Sequence, residues 1–155
     1  MSDEEKLKKL KEEMEIYYKT LIEAYCPYFK GQVSFNQKGF EHIEFKKRNS
    51  KRLQEDQYRR FRILKYAPII ISSSHTLQGK RNGRSFELVK NNSRWEYVLK
   101  DVTYFEFIAI LDSKRIRVVI KQIENGNKFF WSIIPYWKTN KDNDRILHSG
   151  IGDEE

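Results

Sequence analysis

The sequence predicts an α+β fold in which N-terminal helices pack on an antiparallel sheet of four to five strands. Two observations lead to this prediction. Apolar residues recur at spacings of three and four in the first part of the chain, and the period changes to two in the second part. The breaks in the second part contain turn residues, of which Asn125-Gly126 is the strongest hairpin signal.

The first predicted element is an amphipathic helix over residues 3–25, within an N-terminal segment at 1–30. Its apolar positions lie among lysines and glutamates: Leu7, Leu10, Met14, Tyr17 and Leu21. Such a stripe packs on its own domain or forms a seam between two copies of the chain. The sequence therefore leaves open a homodimer through this helix.

Breaks and changes of period define the later elements. Pro27 and Gly31 interrupt the first helix, and a short extended piece at 33–35 precedes a helical turn that holds His42. Helical periodicity returns at 51–66 and ends before Pro68, and a polar loop follows. Segments rich in β-branched and aromatic residues then predict strands at 85–89, 94–99, 104–111, 115–123 and 128–136. Residues 139–155 lack a sustained period and are predicted to be a polar flexible tail.

Composition favours a nucleic-acid partner. The 155 residues fit one domain, carry a net charge of +8 and are 14% aromatic. Cations interleaved with aromatic residues suit phosphates and bases better than a membrane surface. The charge is concentrated at 46–62, where eight lysines or arginines stand against two carboxylates.

Several classes of function are disfavoured by missing motifs. Cys26 is the single cysteine, so no internal disulfide or thiolate metal cluster can form. No apolar run approaches the ~18 residues of a membrane span, and the N-terminus has no signal core. There is no nucleotide-binding, zinc-protease or esterase motif. We expect a soluble cytoplasmic protein without a metal or cofactor.

His42 stands beside the basic window and suggests phosphate chemistry. A ribonuclease that uses no metal needs a proton acceptor for the ribose 2′-hydroxyl, a proton donor for the leaving oxygen and cations around the phosphate. We assign His42, Arg52 and Ser132 as candidate catalytic residues. Candidate substrate contacts are Lys46, Lys47, Arg48, Arg59, Arg117, Lys121, Tyr136 and Lys138.

Each candidate also has an ordinary structural explanation. His42 has apolar neighbours and fits a packed histidine, while the lysines and arginines fit a solvated face. Ser132 lies between large apolar residues, where its hydroxyl can bond the backbone or a phosphate. Because Arg52 and Arg59 are seven residues apart, we expect these two to face one groove.

The order of several short motifs resembles the phage-associated nucleases of the barnase, EndoU, colicin and RelE-like group. These motifs are Val33-x-Phe35, Gly39-Phe40-x-His42-Ile43, the basic stretch, Arg59-Arg60-x-x-x-Leu64, Ala67-Pro68, the strand at 116–120 and Phe130-Trp131-Ser132-Ile133-Ile134-Pro135. The resemblance implies a RelE-like domain at 31–138, with two helices before a four-stranded antiparallel sheet.

The same resemblance implies a function. It suggests a metal-independent endoribonuclease, a toxin or phage-type effector, with His42 as general acid or base and Ser132 on the last strand. It also implies an antitoxin or immunity protein as partner. A non-catalytic nucleic-acid-binding module that uses the basic helix and the sheet face is the alternative.

Overall fold

The computed structural model describes residues 1–135. Its helices are α1 (Asp3–Thr20), α2 (Gln37–Glu44), α3 (Gln54–Ile63) and α4 (Ala67–Ser73), with a 3₁₀ turn at Leu64–Tyr66. Its strands are β1 (Glu23–Cys26), β2 (Gly31–Ser34), β3 (Phe45–Lys47), β4 (Ser50–Lys51), β5 (Gly79–Asn91), β6 (Arg94–Leu111), β7 (Lys114–Ile123) and β8 (Lys128–Pro135). The predicted tail, Tyr136 and Lys138 lie outside the described residues. Within residues 1–135, no helix is long and apolar enough to cross a membrane.

Six strands form one sheet in the order β1-β2-β8-β7-β6-β5. Neighbouring strands are antiparallel except β2 and β8, which run parallel and meet at Ser34 and Phe129. The predicted α+β class is therefore confirmed. The prediction of four to five strands is wrong, because the hairpin β1–β2 extends the sheet beyond β8.

The first helix is shorter than predicted, and this explains the extra strands. Leu21 continues the helical spacing in sequence, but its backbone is already extended and caps α1. The chain then forms β1, which pairs with β2 and buries Cys26 and Val33 completely. Residues 23–25, which the sequence predicts at the end of the helix, thus belong to the edge strand β1 instead.

Strands β5 and β6 form a long hairpin that extends beyond the sheet. β6 joins two predicted strands, and β5 begins inside the predicted polar loop. The two strands pair from Gly79–Glu106 to Asn91–Arg94, but β7 pairs with β6 only from Val102 onward. Residues 84–101 are therefore a two-stranded ribbon, here called the arm. Lys100 and Asp101 break the apolar pattern of the sequence where the arm leaves the sheet.

Aromatic rings join α1, α2 and the sheet in the main core. The ring of Tyr18 in α1 lies 5.1 Å from that of Phe40 in α2 and 6.2 Å from that of Phe130 in β8. Its hydroxyl donates a 2.6 Å hydrogen bond to the carbonyl of Asn36, the residue that caps α2. Burial raises the pKa of this hydroxyl. The predicted packing of the N-terminal helix on the sheet is confirmed. The hydrogen bond from Tyr18 to Asn36 also fixes where α2 begins.

Gly39 allows α2 to lie directly against β8. A Cβ at this position would be 2.2 Å from the carbonyl oxygen of Phe130, so the helix would have to move. We expect Gly39→Ala to lower the free energy of unfolding by about 2 kcal/mol, measured by chemical denaturation. Gly31→Ala is the matched control, because its Cβ would meet nothing closer than 3.9 Å. Equal stability of the two variants would contradict this packing.

Candidate nucleic-acid site

Helix α2 places His42 beside the last described strand of the sheet. The side chain of Asn36 accepts a 3.1 Å hydrogen bond from the backbone nitrogen of Gly39 and so begins the helix. His42 follows one turn later and is only 4% exposed. Its ring stacks on Trp131 of β8, with centroids 4.0 Å apart and planes 19° apart. The helical turn predicted around His42 is α2.

Arg52 contacts His42 at two points. It lies between β4 and α3, and its Nε donates a 3.0 Å hydrogen bond to the carbonyl of His42. A second guanidinium nitrogen is 3.1 Å from Nε2 of the His42 ring. Because a guanidinium has no acceptor, Nε2 must accept, which requires the imidazole proton on Nδ1. Arg52 thus fixes both the position and the tautomer of His42.

Helix α3 links this pair to Ser132. The carboxylate of Asp56 lies 3.8 Å from the Arg52 guanidinium and accepts a 3.0 Å hydrogen bond from Nε of Arg60. Arg60 is fully buried and donates a 2.9 Å hydrogen bond to the Ser132 hydroxyl. His42, Arg52, Asp56, Arg60 and Ser132 therefore form one continuous network, here called the arginine network. All three candidate catalytic residues belong to it.

Arg60, rather than Arg59, accompanies Arg52 in this network. Arg59 pairs with Glu55, and its side chain remains 43% exposed. The sequence expectation treated Arg52 as part of the helix, but α3 begins at Gln54 and residue 52 has no helical phase. The sequence spacing does not distinguish the two arginines, because Glu55 precedes Arg59 by four residues just as Asp56 precedes Arg60.

A register shift in β8 explains the surroundings of Ser132. The shift lies opposite Val119 and Ile120, so strict alternation of sides fails in β8. Phe130 packs in the main core, while Ile134 belongs to a second cluster with Trp131 on the other face of the sheet. Strict alternation along β8 would place both Phe130 and Ile134 on the side of Ser132. Ile134 does lie on that side, but Phe130, which precedes the shift, does not.

Lys121 and Arg117 lie on the sheet but are buried. The Lys121 ammonium is 4.1 Å from the ring centroid of Trp131 and 2.9 Å from a carboxylate oxygen of Glu87 in the arm. Arg117 is 3% exposed and lies 3.5 Å from the carboxylate of Glu106. Both cations are buried and contact carboxylates of the sheet and arm, which does not favour the role of substrate contacts predicted for them.

Several of the exposed cations lie in the hairpin β3–β4. Lys46, Lys47 and Arg48 are all exposed, and the guanidinium of Arg48 lies 4.4 Å from the ring centroid of Tyr97 in the arm. This hairpin follows α2 and precedes Arg52 in the chain. These exposed cations therefore lie next to the arginine network.

Chemically, the site combines an imidazole with guanidinium groups. Guanidinium binds phosphate oxygens in pairs, and imidazole transfers protons. Within residues 1–135, no group of three His, Cys, Asp or Glu side chains could hold a metal ion. Comparisons of the chain with protein-family models, with curated proteins and with solved structures found no match.

The contact between Glu87 and Lys121 makes stability depend on pH. Burial alone would raise the pKa of Glu87, but hydrogen bonds from Ser85 and Lys121 and the charges of Lys121 and Lys38 outweigh it, so its pKa lies below the ordinary value. Burial lowers the pKa of Lys121, opposed by Glu87. A carboxyl whose pKa falls on folding stabilises the protein above its unfolded pKa. That stabilisation is lost as the pH drops through the folded pKa.

We therefore expect Glu87→Gln to be less stable than the wild type at pH 7, on the order of 3 kcal/mol, because Lys121 loses its carboxylate. The variant should also lose less further stability between pH 5 and about 3, where carboxyl groups titrate. Denaturant titrations across this range measure both effects. Glu41→Gln, an exposed change on α2, should follow the wild-type curve. A Glu87→Gln curve parallel to the wild type would contradict the account.

Proposed function

We propose that this chain is a metal-independent endoribonuclease domain of the RelE-like kind, a toxin or phage-type effector that cuts RNA. The contact between His42 Nε2 and the Arg52 guanidinium, 3.1 Å apart, carries the proposal. These are the two kinds of group that attack by a ribose 2′-hydroxyl requires, a proton acceptor and a phosphate-binding cation. The order of helices before the antiparallel strands β5–β8 supports the resemblance to this group of nucleases.

The reaction begins when the RNA phosphate attracts the Arg52 guanidinium. This releases the lone pair of His42 Nε2, which takes the proton of the 2′-hydroxyl. The 2′-oxygen then bonds to phosphorus, and the bond from phosphorus to the 5′-oxygen breaks as the His42 imidazolium gives the same proton to that leaving oxygen, which restores the neutral imidazole. The products are a 2′,3′-cyclic phosphate and a 5′-hydroxyl. Ser132 acts as a positioning residue, because its hydroxyl holds Arg60 and, through Asp56, Arg52.

A non-catalytic nucleic-acid-binding module is the second candidate, and burial favours it. His42 is 4% exposed and Arg52 8% exposed, whereas the cations of β3–β4 are open to solvent. In this case the exposed cations would bind phosphates and the arginine network would only stabilise the fold. Binding would weaken steeply with salt, and no RNA would be cut.

The ribonuclease proposal predicts that His42 is required for cleavage. Purified protein should cut single-stranded RNA in EDTA, and His42→Gln should slow the reaction by about 100- to 10,000-fold, the usual contribution of general acid–base catalysis. His75→Gln is the matched control, because His75 is an exposed histidine in the loop between α4 and β5. Its cleavage rate should equal that of the wild type.

Thermal unfolding of both variants separates a lost catalytic group from a lost fold. A folded His42→Gln protein that cuts RNA at the wild-type rate would remove the mechanism. A wild-type protein that binds RNA with strong salt dependence but cuts none would instead favour the binding module.

A further inference from the structure

One face of the arm exposes an apolar ladder. Phe86 pairs with Leu99 and Leu88 with Tyr97 across the two strands, so their side chains lie on the same face. We call this surface the arm face. It consists of five side chains that are between 46% and 68% exposed: Phe86, Leu88, Trp95, Tyr97 and Leu99.

The opposite face of the arm already has a structural role. Glu87 points inward, is buried and contacts Lys121 of β7 and Lys38 of α2. These contacts hold the arm against the domain. The five large apolar side chains on the outer face keep about half or more of their surface in water, so that part of their surface gains no stability from the hydrophobic effect. A contiguous exposed surface of this kind is typical of a binding site.

Cations accompany the rings of the arm face. The Lys90 ammonium lies 6.0 Å from the ring centroid of Trp95, and the Arg48 guanidinium lies 4.4 Å from that of Tyr97. Arg48 belongs to the exposed basic hairpin β3–β4 beside the arginine network. The arm face is therefore continuous with the surface at which RNA is proposed to bind.

We propose that the arm face binds a single-stranded stretch of the RNA substrate, an inference that rests on the proposed function. Bases stack on Trp95 and Tyr97, while Arg48 and Lys90 bind the neighbouring phosphates. The two rings stand two residues apart on one strand, about 7 Å along it, so each takes its own base. Stacking of this kind is tolerant of sequence.

Charge favours RNA over a second copy of the chain. A self-complementary contact through the arm face would bring Arg48 and Lys90 of both copies into one interface, and the chain carries a net charge of +8. A polyanion offsets these charges. It also spans the arm face and the arginine network as a single ligand, which an isolated apolar partner of the arm would not do.

The test measures binding apart from cleavage. Fluorescence anisotropy gives the affinity for a 2′-O-methyl RNA of roughly 12 nucleotides, a length within the range of single-strand sites. The blocked 2′-hydroxyl prevents cleavage by the proposed reaction. Trp95→Ala/Tyr97→Ala should bind about tenfold or more weakly. Tyr25→Ala is the matched control, since Tyr25 is equally exposed but lies on β1 at the other end of the sheet. It should bind like the wild type.

Unchanged affinity of the double variant would overturn the proposal. It would also be overturned if sedimentation showed a wild-type dimer that the double variant breaks while RNA affinity stays the same, since a second copy would then occupy the arm face. The two proposals fail separately. Binding that depends on the arm, without cleavage of unblocked RNA, supports the arm face and removes the ribonuclease mechanism. Cleavage with an unaltered affinity of the double variant removes only the arm face.

Discussion

The candidate site depends on the ionic contacts of a single carboxylate, that of Asp56. It lies between two buried guanidinium groups, those of Arg52 and Arg60. Removing such a carboxylate would leave two like charges close together in a medium that solvates them poorly. Asp56 also lies in the first turn of α3, where the helix dipole favours a negative charge. Through this one side chain, the position of α3 sets the contact of Arg52 with His42 and that of Arg60 with Ser132.

A second ionic contact joins the other half of the molecule to the same place. Glu87 brings the inner face of the arm to Lys121, whose ammonium lies over the Trp131 ring. Because Trp131 also stacks on His42, the arm, the sheet and α2 meet around one indole. The proposed RNA surface is thus built from elements far apart in sequence, and its outer parts are the basic hairpin β3–β4 and the arm face.

Local patterns in the sequence were sufficient for the fold class and for α2. The change of period and the Asn125-Gly126 turn predict helices followed by a meander, and β7 and β8 do form that hairpin. Predictions from sequence spacing were wrong where contacts between distant parts of the chain determine the structure. The spacing of Leu21 fits a helix, but α1 ends before it and the chain continues into β1, which pairs with β2. Which arginine of α3 joins the network of Arg52 depends on where α3 begins. The side of the sheet on which Ser132 lies depends on a register shift in β8, which no local pattern indicates.

The chemistry of the cleaved ends shows whether the ribose 2′-hydroxyl attacks the phosphate. The substrate is an oligonucleotide that contains one ribose in an otherwise deoxyribose chain, incubated in EDTA and analysed by mass spectrometry. Attack by the 2′-hydroxyl should give a single cut after the ribose that leaves a 2′,3′-cyclic phosphate, and no cut in the all-deoxyribose chain. Cleavage at deoxyribose positions, or products that end in a 5′-phosphate, would contradict attack by the 2′-hydroxyl.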